Sequence, residues 1–233
     1  MTKTDPTIRI AMIHALEESV GPARAAFSRL WPQAFAYDLL DTSLAIDRAH
    51  AGRLDDDMME RFRVLAEYAA RHPGKGGRTA GILFTCSAFG PAIDAVKARM
   101  PIPVLRPNEA AFRRALEAGD RLGLVVSFEP SRASLERELQ EMAAAQDRKV
   151  TVVPIVADGA LDALKAGDGA RHDELVAAAV SRLRGVDAVV LGQFSLARAG
   201  GLCAQASGLP VITTPESAVE ALKAAVEGGS RGI

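Results

Sequence analysis

Cys86 is the residue of this sequence best placed to do chemistry. It follows Gly81-Ile-Leu-Phe-Thr, an apolar run that reads as a buried strand, and precedes Ser87-Ala-Phe-Gly-Pro91, which opens a helical stretch. In open parallel sheets ligands bind beyond the carboxyl ends of the strands, where this spacing puts the thiol. Helix N-terminal amides beside a thiol favour the thiolate. They can also hold a substrate carboxylate or a developing oxyanion. The competing reading is a small buried hydrophobe, the commonest fate of a free cysteine. The other cysteine, Cys203, lies inside an alanine-rich helical stretch and reads as core filler.

Further candidates follow other apolar runs. His14 and Ser19 come after the first, and Ser127 and Ser131, with Glu129 between them, come after its counterpart. His14 has two readings, a general base or proton shuttle and a hydrogen-bonded structural residue. The serine hydroxyls suit a carboxylate, although Ser131 can equally cap its helix. Asp41, Thr42, Ser43 and Asp158 occupy similar strand-end positions. Gln193, in LGQFS (191–195), cannot ionise, so it either orients a substrate carbonyl or satisfies turn backbone. Other signals are weak. Pro73-Gly-Lys-Gly-Gly-Arg78 precedes its strand and lacks GxxxxGK[ST], so it reads as a flexible surface loop. No GxGxxG follows the first strand, and the cysteines have no metal-ligand spacing, so neither a dinucleotide nor a metal is expected. Asp55-Asp-Asp57 reads as an acidic helix start.

The elements that must position these residues alternate. Short runs, apolar on both faces as in covered parallel sheets, predict strands at 8–13, 35–40, 81–84, 103–105, 122–126, 150–156, 188–191 and 211–212. Helices are expected at 21–30, 55–70, 91–100, 109–118, 131–145, 172–184, 196–207 and 216–226. Asn108 and a Thr213-x-x-Glu216 capping box are the expected start signals of two of them. The alternation argues for an α/β fold. The chain also resembles itself: residues 81–109 superpose on 188–216 at an offset of 107, and 9–15 on 121–127 at 112. Two duplicated halves follow, one of residues 1–107 plus 213–233 and an inserted one of 108–212.

With 28 basic and 29 acidic residues the net charge is −1, which argues against a nucleic-acid or anionic-membrane surface. Two cysteines make no disulfide scaffold, so the reducing cytosol is the expected compartment. Residues 1–10 lack the apolar core of a signal peptide, and no apolar run reaches membrane-spanning length.

TCSAFG (85–90), LGQFS (191–195) and PVITTPESA (210–218) resemble the aspartate/glutamate/hydantoin racemase superfamily over nearly the whole chain. The resemblance implies two pseudo-symmetric α/β domains with flavodoxin-like parallel-sheet cores around a central cleft. It implies a cofactor-independent reaction beside the carboxylate of a small substrate, with one cysteine from each domain exchanging the α-proton. Cys86 matches the first of those cysteines, and Gln193 stands where the second is expected. Thr85, Ser87, Phe194 and Ser195 match positions whose backbone or hydroxyl groups hold carboxylate oxygens. Ser127 and Thr213 carry over less closely, and His14 and Ser19 lie in the first substrate-touching loop. The superfamily also includes maleate cis–trans isomerase and arylmalonate decarboxylase, a one-cysteine enzyme whose thiol belongs to the second half. Three readings follow: a racemase or isomerase working through Cys86, a one-thiol decarboxylase, or a carboxylate-binding protein without the chemistry. Family members often dimerise, so a homodimer or higher homo-oligomer accords with the resemblance.

Overall fold

The computed structural model describes residues 8–229. The chain begins with β1 (Ile8–His14), α1 (Val20–Leu30), β2 (Ala34–Leu40), α2 (Ser43–Ala51), α3 (Asp56–Arg71), β3 (Thr79–Phe84), α4 (Gly90–Lys97) and β4 (Val104–Leu105). It continues with α5 (Glu109–Ala118), β5 (Arg121–Val126), α6 (Glu129–Ala144), β6 (Thr151–Val156), α7 (Ala160–Lys165) and α8 (Gly169–Val180). β7 (Ala188–Leu191), α9 (Gly200–Ser207), β8 (Val211–Thr213) and α10 (Thr214–Gly229) complete it. Short 3-10 turns at Glu17–Ser19, Ser87–Phe89 and Phe194–Ala199 follow β1, β3 and β7.

Contacts divide the chain into two compact units. One runs to Pro107 and resumes at Ala218; the other is Asn108–Ser217. The return therefore falls within α10, a few residues past the boundary read from the sequence. Each unit is built on one four-stranded parallel sheet, ordered β2-β1-β3-β4 in the first and β6-β5-β7-β8 in the second. This is the α/β architecture expected from the alternating pattern. In such an order the chain leaves the central pair in opposite directions, so a crevice opens at the carboxyl ends of β1 and β3, and of β5 and β7.

Apolar burial holds each sheet between its helices. In the first unit Phe62 of α3 lies 5.2 Å from Phe84 at the end of β3 and 4.7 Å from Phe89, the last residue of the turn after Cys86. α10 also packs on β3: a Cβ at Gly81 would lie 3.0 Å from Leu222 Cδ1 and 3.1 Å from Val226 Cγ2, an approach that favours glycine. In the second unit Pro154 sits in the edge strand β6, where its missing N–H costs no inner ladder bond.

Several local expectations are corrected. α2 and α7 are additional helices; α2 buries only Leu44 and α7 only Ala160, so neither leaves an apolar period to read. Thr213 does precede α10, which begins at Thr214, but its hydroxyl has no hydrogen-bond partner and so does not cap the helix. Asn108 precedes α5 without a side-chain cap. Ser131 instead donates to the Phe128 carbonyl at 2.8 Å. The Pro73–Arg78 loop is a built turn: Gly74 and Gly77 exchange backbone hydrogen bonds, and Gly76 and Gly77 take φ of 82° and 87°. Asp55 caps α3, its carboxylate accepting the Met58 N–H at 3.0 Å.

Replacing Phe62 by Ala removes one ring from the Phe62–Phe84–Phe89 cluster and should cost about 3–5 kcal/mol of stability. Urea denaturation measures this, and a loss below about 1 kcal/mol would mean that the cluster does not hold the β3 turn.

Candidate active site

β1 and β3 are apolar because both faces are covered, and their polar residues begin where the strands end. Parallel pairing of Ile13 with Phe84 brings the two ends together. The Thr85 N–H then donates to the Ile13 carbonyl at 3.1 Å, which continues the ladder one residue beyond the strand. The next residue, Cys86, has extended backbone and leads the Ser87–Phe89 turn into α4. Cys86 is half-buried among first-unit core residues, and Ser87 beside it is also half-buried.

Burial pushes the Cys86 thiol up to about 11, against the Ala88 backbone N–H, which favours the thiolate. The amide acts in the direction expected from the sequence, and burial opposes it. Only a three-residue 3-10 turn follows the cysteine before α4, and desolvation outweighs it. Burial thus favours the protonated thiol over the thiolate.

Next to it lies a buried polar network. His14 has no solvent exposure. Its Nδ1 is 2.8 Å from Thr85 Oγ1 and 3.1 Å from Ser19 Oγ, and its Nε2 is 3.1 Å from Asp38 Oδ1. Ser19 donates to the Leu16 carbonyl at 2.7 Å and lies 2.9 Å from the Thr85 hydroxyl. The other Asp38 oxygen accepts from Arg24 Nε at 2.8 Å and from a second Arg24 nitrogen at 2.6 Å. Burial lowers the His14 pKa, while Asp38 works in the opposite direction. A neutral His14 facing a carboxylate at Nε2 carries its proton there, leaving Nδ1 to accept the Thr85 hydroxyl. His14 is thus enclosed by side chains, hydrogen-bonded as in the structural one of its two readings.

The second unit repeats the backbone of this site with different side chains. Gly192 N donates to Val125 O at 2.9 Å, as Thr85 does to Ile13. Ser131 bonds to Phe128 O as Ser19 bonds to Leu16 O. Gln193 has extended backbone and leads the Phe194–Ala199 turn, as Cys86 leads its own. Its Oε1 accepts from the Ser127 N–H at 2.7 Å and the Ser127 hydroxyl at 3.0 Å. The carbonyl end is therefore spent on turn backbone, and what remains is an NH2 donor without acid–base capacity. Phe194 and Ser195 are buried in the following turn, so Phe194 offers ligands its backbone alone. Thr213 ends β8 with a buried hydroxyl that has no hydrogen-bond partner. Cys203 is fully buried in α9.

Comparison with known proteins follows from this geometry. The family model for Asp/Glu/Hydantoin racemase matches residues 23–225. The chain belongs to this family. It is accordingly an enzyme of the racemase superfamily. Among solved structures it is similar to an allantoin racemase from Pseudomonas fluorescens, with a TM-score of 0.70 at 16% identity over 95% of this chain and 92% of that one. A glutamate racemase from Bacillus anthracis gives 0.70 at 14% identity, over 96% and 83%. An aspartate racemase from Picrophilus torridus gives 0.69 at 14%, over 94% of both chains. At these identities the likeness is one of fold. No curated protein matches the sequence.

Among the described residues of this family member, no helix is long and apolar enough to cross a membrane, and no three His, Cys, Asp or Glu residues are grouped to hold a metal ion. Sequence reasoning missed Asp38 and Arg24. Asp38 carried a signal, being the one charge in the otherwise apolar Ala34–Leu40 strand; Arg24 reads as an ordinary helix-surface cation.

In a Cys203→Ala variant, Cys86 should react with iodoacetamide at pH 7 about 100-fold more slowly than an unperturbed thiol, accelerating toward pH 11. A rate equal to that of a free thiol would show that burial does not control it.

Proposed function

We propose that the protein is a cofactor-independent racemase-type enzyme acting at the α-carbon of a small carboxylate, with Cys86 as its acid–base group. The observation carrying this reading is the placement of one protonated thiol at the carboxyl end of β3, beside β1, leading a turn whose Ala88 N–H favours the thiolate. Family membership supplies the reaction class. The backbone N–H groups at the start of such a turn have no partner within it and can hold a substrate carboxylate, opposing charge as an enediolate forms.

The proton balance is simple. The enediolate carbon takes the proton from Cys86 Sγ as the S–H bond breaks, a C–H bond forms and a thiolate remains. In reverse, the thiolate removes the α-proton. Two-base inversion needs a second group on the opposite face, and Gln193 supplies no such base. That favours, as the second reading, a decarboxylase in which loss of carbon dioxide forms the enediolate and solvent reprotonates the thiolate. Either chemistry suits the reducing cytosol, where a lone thiol stays reduced.

Incubation with small α-substituted carboxylates in heavy water tests the proposal, with NMR following the α-position. Deuterium incorporation with loss of optical activity identifies racemisation. Release of carbon dioxide with one deuterium incorporated identifies decarboxylation. Cys86→Ala should lower the rate by about 10²–10⁴-fold, and dialysis against chelator should leave the wild-type rate unchanged. Full turnover in Cys86→Ala would remove Cys86 from the mechanism.

A further inference from the structure

We infer that His14, Asp38 and Arg24 form a positioning relay in which Asp38 fixes the tautomer of His14, and His14, through Thr85, sets the charge state of Cys86.

The first support is the bonding itself. The Arg24 Nε, at 2.8 Å, and a second Arg24 nitrogen, at 2.6 Å, hold one Asp38 oxygen. That leaves the other oxygen to accept from His14 Nε2, and His14 Nδ1 to face the hydroxyls of Ser19 and Thr85. Thr85 is the covalent neighbour of Cys86. The second unit is the control. It builds the same turn with the same two backbone bonds, yet it carries Val126, Pro154 and Gly192 where the first unit has His14, Asp38 and Thr85. The fold of the turn therefore does not require the network. Burying an ionisable pair and two hydroxyls costs desolvation, and the first unit bears that cost on the side where the thiol stands. Perturbed titratable groups clustered at a strand-end crevice mark function.

The charged groups around His14 are Asp38 on β2 and Arg24 on α1. Asp41, whose N–H donates to the His14 carbonyl, is engaged by Arg61. Glu17 and Glu18 lie on the loop that carries Ser19. A proton on Nδ1 adds one positive charge next to the Cys86 segment and makes the thiolate easier to form. The sign follows. Above the His14 pKa the ring is neutral and gives no such help. As pH falls through that pKa, thiolate formation is increasingly supported.

The inference builds on Cys86 as the reacting thiol, but its test needs no turnover. Disulfide exchange of Cys86 with 4,4′-dithiodipyridine is measured from pH 4.5 to 8 in Cys203→Ala, alone and combined with His14→Gln. The ratio of the two rates cancels the reagent's own ionisation. It should rise about tenfold as pH falls through the His14 pKa and then level off. Asp38→Asn gives a second readout. Arg24 keeps the amide oxygen, so the NH2 turns to Nε2 and moves the ring proton to Nδ1, which ¹⁵N NMR of the imidazole detects. The same substitution removes the carboxylate that favours the imidazolium, so the rise should shift to lower pH. A ratio independent of pH, or an unchanged tautomer in a folded Asp38→Asn protein, would overturn the relay. Should His14→Gln fail to fold, the ratio of the Cys203→Ala rate to that of Cys203→Ala with Asp38→Asn, taken over the same pH range, decides together with the tautomer, and a ratio independent of pH overturns the relay. Turnover surviving in Cys86→Ala would sink the proposed reaction and leave these measurements unaffected.

Discussion

Parallel pairing of β1 with β3 is the constraint on which the candidate site depends. It places His14 2.8 Å from Thr85, although 71 positions separate them in the chain. Strands buried on both faces must be apolar, so polar residues gather beyond their ends, where the ladder stops and the turn begins. β1 supplies His14 and, shortly after, Ser19; β3 supplies Thr85 and Cys86. β2 then adds Asp38 from the other side of β1, and α1 adds Arg24. A slip of one residue in the β1–β3 register would turn these side chains to the opposite face and dissolve the cluster.

The two units apply one backbone solution to different chemistry. Each ends a central strand with a residue bonded back to its neighbour, and each follows it with an extended residue leading a 3-10 turn. In the first unit that residue is a thiol, next in the chain to the Thr85 whose hydroxyl meets a buried imidazole. In the second it is a glutamine whose carbonyl is bound by Ser127. The second turn is satisfied from within, whereas the first keeps an ionisable group in an environment that resists its ionisation. Raising the thiol to about 11 keeps Cys86 mostly in its protonated form at neutral pH. Any reaction that runs in both directions therefore needs help in forming the thiolate.

The strands were the most legible part of the fold. Runs such as Gly81–Phe84 and Ala188–Leu191 are apolar throughout and end abruptly, so their existence and their strand-end residues could be read directly. The internal offsets of 107 and 112 reappear in the paired bonds Thr85–Ile13 and Gly192–Val125, because duplicated strands keep their register. Short helices were not legible, since α7 buries one residue and leaves no period. The helix caps at Asn108, Ser131 and Thr213 were misjudged. A suitable side chain at a suitable spacing only permits a cap, and at Ser131 the hydroxyl finds a carbonyl instead.

The sequence by itself determined the alternating α/β pattern, the single strand-end thiol and the glutamine at the matching place, because these depend on local apolar runs and on counting along the chain. Tertiary structure alone decided that burial opposes ionisation of the thiol, that His14 is sealed from solvent, and that Asp38 and Arg24 join its hydrogen-bond network. The physical reason is that desolvation and hydrogen-bond partnership depend on which strands lie side by side. Asp38 and His14 meet because β2 pairs with β1, and nothing within either segment states that pairing.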